Sequence, residues 1–441
     1  MHHMATLMTR AQRILSDIER IDGHAPSRHV AKHIKMASTP FTFFRGCAQL
    51  FYSDLASHTI QVPPACFTVP LTSVMGDCHT SNFGFLTEEG SHGDTVIFAP
   101  NDFDDACVGY AHWDIIRFLT SLSLVKAHCD DVVNKASSGN EKKPVINNNH
   151  VQSAQHAFLA RYSETCSRVT NDATVINEAM ERSPDGKLQK MYNKAVRRAA
   201  MGEEFTTKSA LAKAVFMDED GLSFKHIANK LTPLSDIDYA LIADTFSPFM
   251  DDEVVDIVQR ENSGTGSVNM QRFYCLVGPA KPHSANSFSH CHIVEIKQQR
   301  EAAPLYHFKY LCPVNRLNPA HLTARSQRRM QRRPDLLLDE VYWNDAHWLI
   351  RSRHHAKVGI SPEDIGMGNK AISEGFTEFA ELCGYTLALA HCRGDRRSVR
   401  FASEAACVFQ ACTPALIKAA NRYADQTIED HALFKQYLQK S

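Results

Sequence analysis

The sequence predicts an α+β protein with a mostly helical large lobe and a small antiparallel-sheet lobe. Three observations predict it. Residues 5–36, 375–392 and 413–439, near the two ends of the chain, carry helical patterns. Between them lie "VVDIVQREN", "RFYCLV" and "FSHCHIVEIK", short runs with β-branched and aromatic residues that read as strands. The length, 441 residues, exceeds what one small core supports and favours two or three lobes.

In chain order, 5–36 reads as helix, turn, helix, broken at "GHAPS". The opening "MHHMATLMTRAQRILSDIER" has charges within its apolar spacing and reads as an amphipathic helix, not a signal peptide. "SLSLVKAHCDD" ends a helical stretch, and "KASSGNEKKPVINNNH", 135–150, is the most linker-like segment. A long helical region is expected over 151–232, followed by the strands. "NPAHLTARSQRRMQRR" reads as a helix with Pro319 near its start and Pro334 at its end. "LLLDEVYW" and "HWLIRSR" read as a strand pair joined by "NDA". The resulting division is 1–130 helical lobe, 131–150 linker, 151–245 helical segment or insertion, 250–357 strand-rich lobe and 358–441 helices completing the helical lobe.

Composition narrows the class. A formal charge of −1 provides no global field toward nucleic acid or membrane, and no apolar run approaches a membrane span. Thirteen scattered cysteines without a CxxC pair point to reduced thiols and a cytoplasmic setting. "SHCH", 289–292, is better explained as a strand with one polar face than as a zinc site. The basic run 324–333 reads as a solvated helix face rather than a nucleic-acid surface.

The chemistry is concentrated in two acid-rich loops. In "GDCHTSNFG", 76–84, Asp77, His79 and Asn82 sit in a turn hinged by Gly76 and Gly84. Phosphoryl transfer needs a carboxylate to orient the attacking hydroxyl and oxygen ligands for Mg²⁺. Asp77 suits the first role and the Asn82 amide oxygen the second. "VIFAPNDFDDA" then delivers Asp102, with Asp104 and Asp105 beside it, from the end of an apolar strand. The long gap from Asn82 to Asp102 implies an enlarged hairpin around "TEEGSHGD".

"GDCHTSN" followed by "NDFDDA" resembles the G-D-x-H-x-x-N and D-F-x-x-A motifs of aminoglycoside phosphotransferases and related small-molecule kinases. The resemblance implies that Asp77 is the catalytic base and that Asn82 and Asp102 bind Mg²⁺. "AHWDIIRFL" resembles the same enzymes' D-x-x-R segment, which makes Asp114 a buttress of the catalytic loop.

A nucleotide clamp is absent before residue 76 but fits far downstream. "VVDIVQRENSGTGSVNMQRFYCLV" reads as strand, Gly-x-Gly turn, strand, with Gly264, Gly266 and Ser267 covering phosphates and Asn269 in place of a third glycine. "HCHIVEIK" ends in Lys297, suited to the nucleotide phosphates, and Arg351 in "RSRHHAK" lies near the expected cleft with Arg353 and Lys357. The next helix lacks the Glu that kinases pair with such a Lys, leaving Glu301 and Glu340 as nearby candidates. Arg45 reads equally as a phosphate contact or a salt-bridge partner. With the loops first and the clamp second, the expected architecture is a protein-kinase-like two-lobe fold, circularly permuted.

Over most of 30–440, "MASTPFTFFRGCAQLFYSDL", "NDFDDACVGYAHWDIIRFLTSL", "GTGSV" and "YADQTIEDHALF" resemble the bacterial domain-of-unknown-function 2252 family. The leading functional expectation is an ATP- and Mg²⁺-dependent phosphotransferase acting on a small-molecule or protein hydroxyl. The competing expectations are a metallophosphoesterase using Asp77 and His79 with His290 and His292, and a non-catalytic nucleotide-binding module.

Overall fold

Local chemistry sets the first helix. Thr9 accepts from the backbone N–H of Gln12, whose side chain answers the Thr9 N–H, and Gly23 ends the helix Arg10–Asp22 in the left-handed region at φ 75°. The coordinates are a computed structural model that describes residues 8–135, 143–181, 186, 188–219, 221–261, 270–279, 285–395 and 398–440. The protein is a mixed α+β molecule with antiparallel sheets.

The largest core is helical. Ala111–Lys135, Asn148–Asn171, Phe376–Gly394, Arg400–Ala411 and Thr413–Lys440 enclose it. Phe118 stacks on Phe158 at 4.4 Å between the first two of these helices. Embedded in this core is a three-stranded sheet of Lys357–Gly359, Phe83–Thr87 and Val96–Pro100 in that order. The hairpin joining the last two is the enlarged one expected, with Thr87 opposite Val96 and Glu88 N–H donating to Thr95 O at 2.9 Å.

A second body is built on a six-stranded antiparallel sheet. Its order is Asp339–Trp343, Ala346–Ser352, His292–Gln299, Arg272–Gly278, Glu253–Arg260, Leu231–Pro233. Period-2 alternation gives this sheet two buried faces. Phe273, Cys275 and Val277 pack with Ile296, Trp348 and Phe246 on one face, and Tyr274 and Leu276 pack with Phe205, Leu222 and Ile293 on the other. The turn between Trp343 and Ala346 is made by Asn344 and Asp345, both at positive φ, which suits a tight hairpin. Pro319–Met330 begins with its proline inside an Asn318 cap and covers Leu338 and Leu349.

Three expectations are corrected. The helical region over 151–232 stops at Asn171, gives way to short helices such as Gln189–Arg198, and ends in the hairpin Val215–Asp218 and Gly221–Phe224. Gly221, at φ 119° where the strands Val215–Asp218 and Gly221–Phe224 turn back on each other, favours the hairpin over a helix. "FSHCH" is not strand throughout: Ala285–Ser289 is a helical turn, and pairing starts at His292. In the 135–150 segment, Val145 bridges Met367 and Asn147 caps the following helix; residues 136–142 lie outside the described set.

Candidate functional site

The first acidic loop is fixed from beneath. Gly76 has φ 76°, and a side chain there would collide with the carbonyl of Asp105, so only glycine lets the two acidic loops touch. Asp114, fully buried, accepts from Met75 N–H at 2.7 Å and Gly76 N–H at 3.1 Å, and meets His391 Nε2 at 3.0 Å. His391 Nδ1 in turn meets the Tyr162 hydroxyl at 2.7 Å. Tyr52 donates to Gly76 O at 2.6 Å. The buried carboxylate thus finds the donors that burial demands, in the backbone just before Asp77.

Asp77 stands at the floor of a cleft of about 330 Å³. Arg117 Nε donates to its Oδ1 at 2.9 Å and Nη2 donates to the same oxygen, while His79 Nε2 lies 3.5 Å from Oδ2. Burial favours the neutral acid, but Arg117 and His79 outweigh it and hold Asp77 well below the usual carboxylate range. The same burial pulls His79 down to about 4, leaving it neutral. Asn82 Nδ2 donates to Asp77 O at 2.8 Å, which fixes the amide orientation.

The second loop enters from the strand Val96–Pro100. Asp102 and Asp104 both line the cleft, with Asp104 N–H donating to Asp102 Oδ1 at 3.3 Å. Burial, and then the adjacent Asp104, raise Asp102. Asp104 goes the other way: burial opposes ionisation, but Lys297 and Arg351 hold it well below the carboxylate range. Asp105 also lines the cleft, but its carboxylate is committed, accepting from Ala303 N–H at 2.7 Å and from Arg300 at 3.1 and 3.3 Å.

The six-stranded sheet supplies the cations. Lys297, buried, forms an ion pair with Asp104, and Arg351, on the neighbouring strand, also lines the cleft. The helix Pro319–Met330 does not supply the lysine's acid, and neither Glu301 nor Glu340 does. Glu301 pairs with Lys309 at 2.6 Å, and Glu340 meets Asn318 at 3.1 Å and His321 at 3.3 Å. Glu295 instead holds Arg351 and Arg272, each at 2.9 Å, which locks Arg351 into the strand pair.

Asp77, His79, Asn82, Asp102, Asp104, Lys297 and Arg351 therefore share one cleft, with Arg45 on its wall. The Arg45 Nε is buried without a hydrogen-bond partner, and no ion pair to Arg45 exists among the described residues. Gly264, Gly266, Ser267 and Asn269 lie outside the described residues. His290 and His292 lie away from the cleft. Lys297 is five residues along the strand from His292, roughly 16 Å at strand rise, and His292 pairs with Asp251 at 3.2 Å. Among the described residues, no group of three or more His, Cys, Asp and Glu is placed to hold a metal ion. The two-metal arrangement needed by a phosphoesterase is thus not assembled from these histidines.

Sequence reasoning met Arg117 only as the unassigned arginine of the D-x-x-R segment, and passed over Glu295. Arg117 was signalled by its place on a helix that is otherwise apolar around it, three residues after Asp114, where a charge must find a partner. Glu295 had no such signal, because strand alternation alone does not separate a buried acid from a solvated one.

All thirteen cysteines are free thiols, and among the described residues no helix is long and apolar enough to cross a membrane. No curated protein and no solved structure matches the chain. A family match does exist and spans nearly its whole length: over residues 24–437 the chain matches, and belongs to, the family described as "Uncharacterized protein conserved in bacteria (DUF2252)".

Proposed function

We propose that the protein is an ATP- and Mg²⁺-dependent phosphotransferase acting on a hydroxyl acceptor, with a kinase-like two-lobe fold in circularly permuted order. The observation that carries this reading is the Lys297–Asp104 ion pair, which joins the strand-rich body to the acidic loop across 193 positions of sequence. The succession of elements supports the fold: strand Glu253–Arg260, strand Arg272–Gly278, Lys297 strand, helix Pro319–Met330, then two more strands. Permutation is supported by contact between the ends, where Arg10 Nε donates to Asp430 Oδ1 at 2.8 Å.

The donor set suits Mg²⁺. Asp102, Asp104 and Asn82 present oxygens to one cleft, and Asp104 Oδ1 is buried without a hydrogen-bond partner. Mg²⁺ commonly uses one or two carboxylates and leaves its other positions to water and phosphate. When bound, the ion would supply positive charge that offsets the charge of the phosphate oxygens. Lys297 exchanges Asp104 for a nucleotide phosphate, and Arg351, pinned by Glu295, adds a fixed positive charge. Asp77 accepts a hydrogen bond from the acceptor hydroxyl and aims it. Held far below the usual range by Arg117, it orients rather than strips the proton, which a loose phosphoryl-transfer transition state tolerates.

Calorimetry with ATP, with and without Mg²⁺, tests the reading. ATP binding is expected to strengthen with Mg²⁺ and to lose that dependence in Asp102→Asn. Asp77→Asn is expected to reduce Mg²⁺-dependent ATP turnover by about 10²–10⁴-fold while changing ATP affinity little. Absence of ATP binding, or full turnover in Asp77→Asn, overturns it.

A further inference from the structure

A second cavity of about 200 Å³ opens beside the cleft and shares Arg260, Tyr274 and Lys357 with it. Of the fifteen described residues that line it, seven are Lys or Arg and none is Asp or Glu. In a chain of formal charge −1 this concentration is not a background effect. The cations converge from separate stretches: Arg198 and Lys213 from two short helices, Lys230 from the turn before Leu231, and Arg353 from the link between the two bodies.

Internal ion pairing does not account for them. Lys208 and Arg198 approach Glu204 at 2.8 and 3.8 Å, but Lys213, Lys230 and Arg353 pair with no carboxylate among the described residues. Arg353, half-buried, is held with its guanidinium 4.9 Å over the Tyr274 ring, so one fork of donors is already positioned. Lys213 is held below the usual lysine range by partial burial and then by Arg198 and Lys194, a sign of unrelieved positive potential.

We infer that this basic annex is a binding subsite for a phosphate group carried by a ligand that also reaches the catalytic cleft. A phosphate has the charge and the number of acceptor oxygens to meet several cations at once, whereas a carboxylate meets fewer. With no acidic side chain among the described residues of its walls, the annex takes its anion without a bridging metal, in contrast to the cleft. It does not depend on phosphoryl transfer: the cations would bind the anion whatever chemistry follows next door.

The test is calorimetric titration of the full chain with inorganic pyrophosphate in the absence of divalent metal. Saturable binding is expected, weakening about tenfold in Lys213→Ala/Lys230→Ala, whose two side chains are exposed and leave the fold intact. Arg353→Ala, checked by its melting curve, is expected to weaken it comparably. Lys297→Ala, inside the cleft, is expected to leave it within about threefold. Absence of saturable binding, or binding that follows Lys297 and ignores Lys213 and Lys230, overturns the subsite. Repeating the titration with saturating ATP and Mg²⁺ identifies the source: competition assigns the phosphate to the nucleotide, and simultaneous binding assigns it to a separate phosphorylated ligand. Pyrophosphate binding in a protein that fails to bind ATP keeps the annex and discards the phosphotransferase.

Discussion

Asp77, His79 and His112 show how burial sets different charge states within one lobe. Asp77 stays ionised because the wholly buried Arg117 donates to it twice. His112 has no comparable help. It is wholly buried, stacked on Tyr110 at 5.1 Å and edge-on to Phe67 at 4.9 Å, and burial pulls it down to about 3. The unfolded chain takes up this proton near pH 6.5, whereas the folded chain does not until about 3. The unfolded state therefore binds more protons between these limits, and folding stability falls as pH falls through them. Denaturant melts at several pH values are expected to show the wild type losing roughly 1 kcal/mol more per pH unit than His112→Phe between about pH 6 and 4. Equal slopes would show that His112 is charged in the folded state.

At the scale of elements, the two acidic loops work as a pair because one glycine lets them touch. Gly76 is in the left-handed region and faces the Asp105 carbonyl, while Asp114 and Tyr52 hold the backbone on either side of it. Gly76→Ala is expected to destabilise the protein by about 2 kcal/mol or more, from strain at positive φ together with displacement of the second loop. On the proposed reading, any Mg²⁺-dependent gain in ATP affinity is expected to weaken with it, because Asp102 and Asp104 follow the loop. A urea midpoint and an ATP titration check the two effects, and a wild-type midpoint would show that the loops do not need this approach. The turn residues Asn344 and Asp345 were legible in the same way, because a turn that needs positive φ restricts residue type; Gly84, expected as a hinge, lies instead within the strand Phe83–Thr87, where its missing side chain lets the Val358 carbonyl approach.

For the whole molecule, the first and last helices are held together by a buried cluster of charge. Arg10 Nη1 donates to Asp54 at 2.5 Å and Arg10 Nε to Asp430 at 2.8 Å, and Tyr423 donates to Asp54 at 3.0 Å. Both aspartates are almost wholly buried. Arg10→Ala leaves Asp54 with Tyr423 and a longer contact to Arg13 at 3.8 Å, and Asp430 with Gln426, and is expected to lower stability by about 3 kcal/mol, read from the denaturant midpoint. A loss below about 0.5 kcal/mol, as for a surface pair, would show that the ends are not held by this cluster.

The sequence by itself determined the α+β character, most helix and strand positions in the strand-rich middle, and the two acid-rich loops, since periodicity, caps and turn residues act over a few neighbours. It misjudged 171–224, where short elements leave no sustained period, and it missed Glu295 because burial depends on what lies across the sheet. Only the tertiary structure decided that Lys297 meets Asp104 and not a helix glutamate, that Asp105 belongs to Arg300, and that scattered lysines and arginines gather beside the cleft. Those outcomes depend on long-range charge pairing and desolvation, which act through space between segments that sequence spacing does not relate.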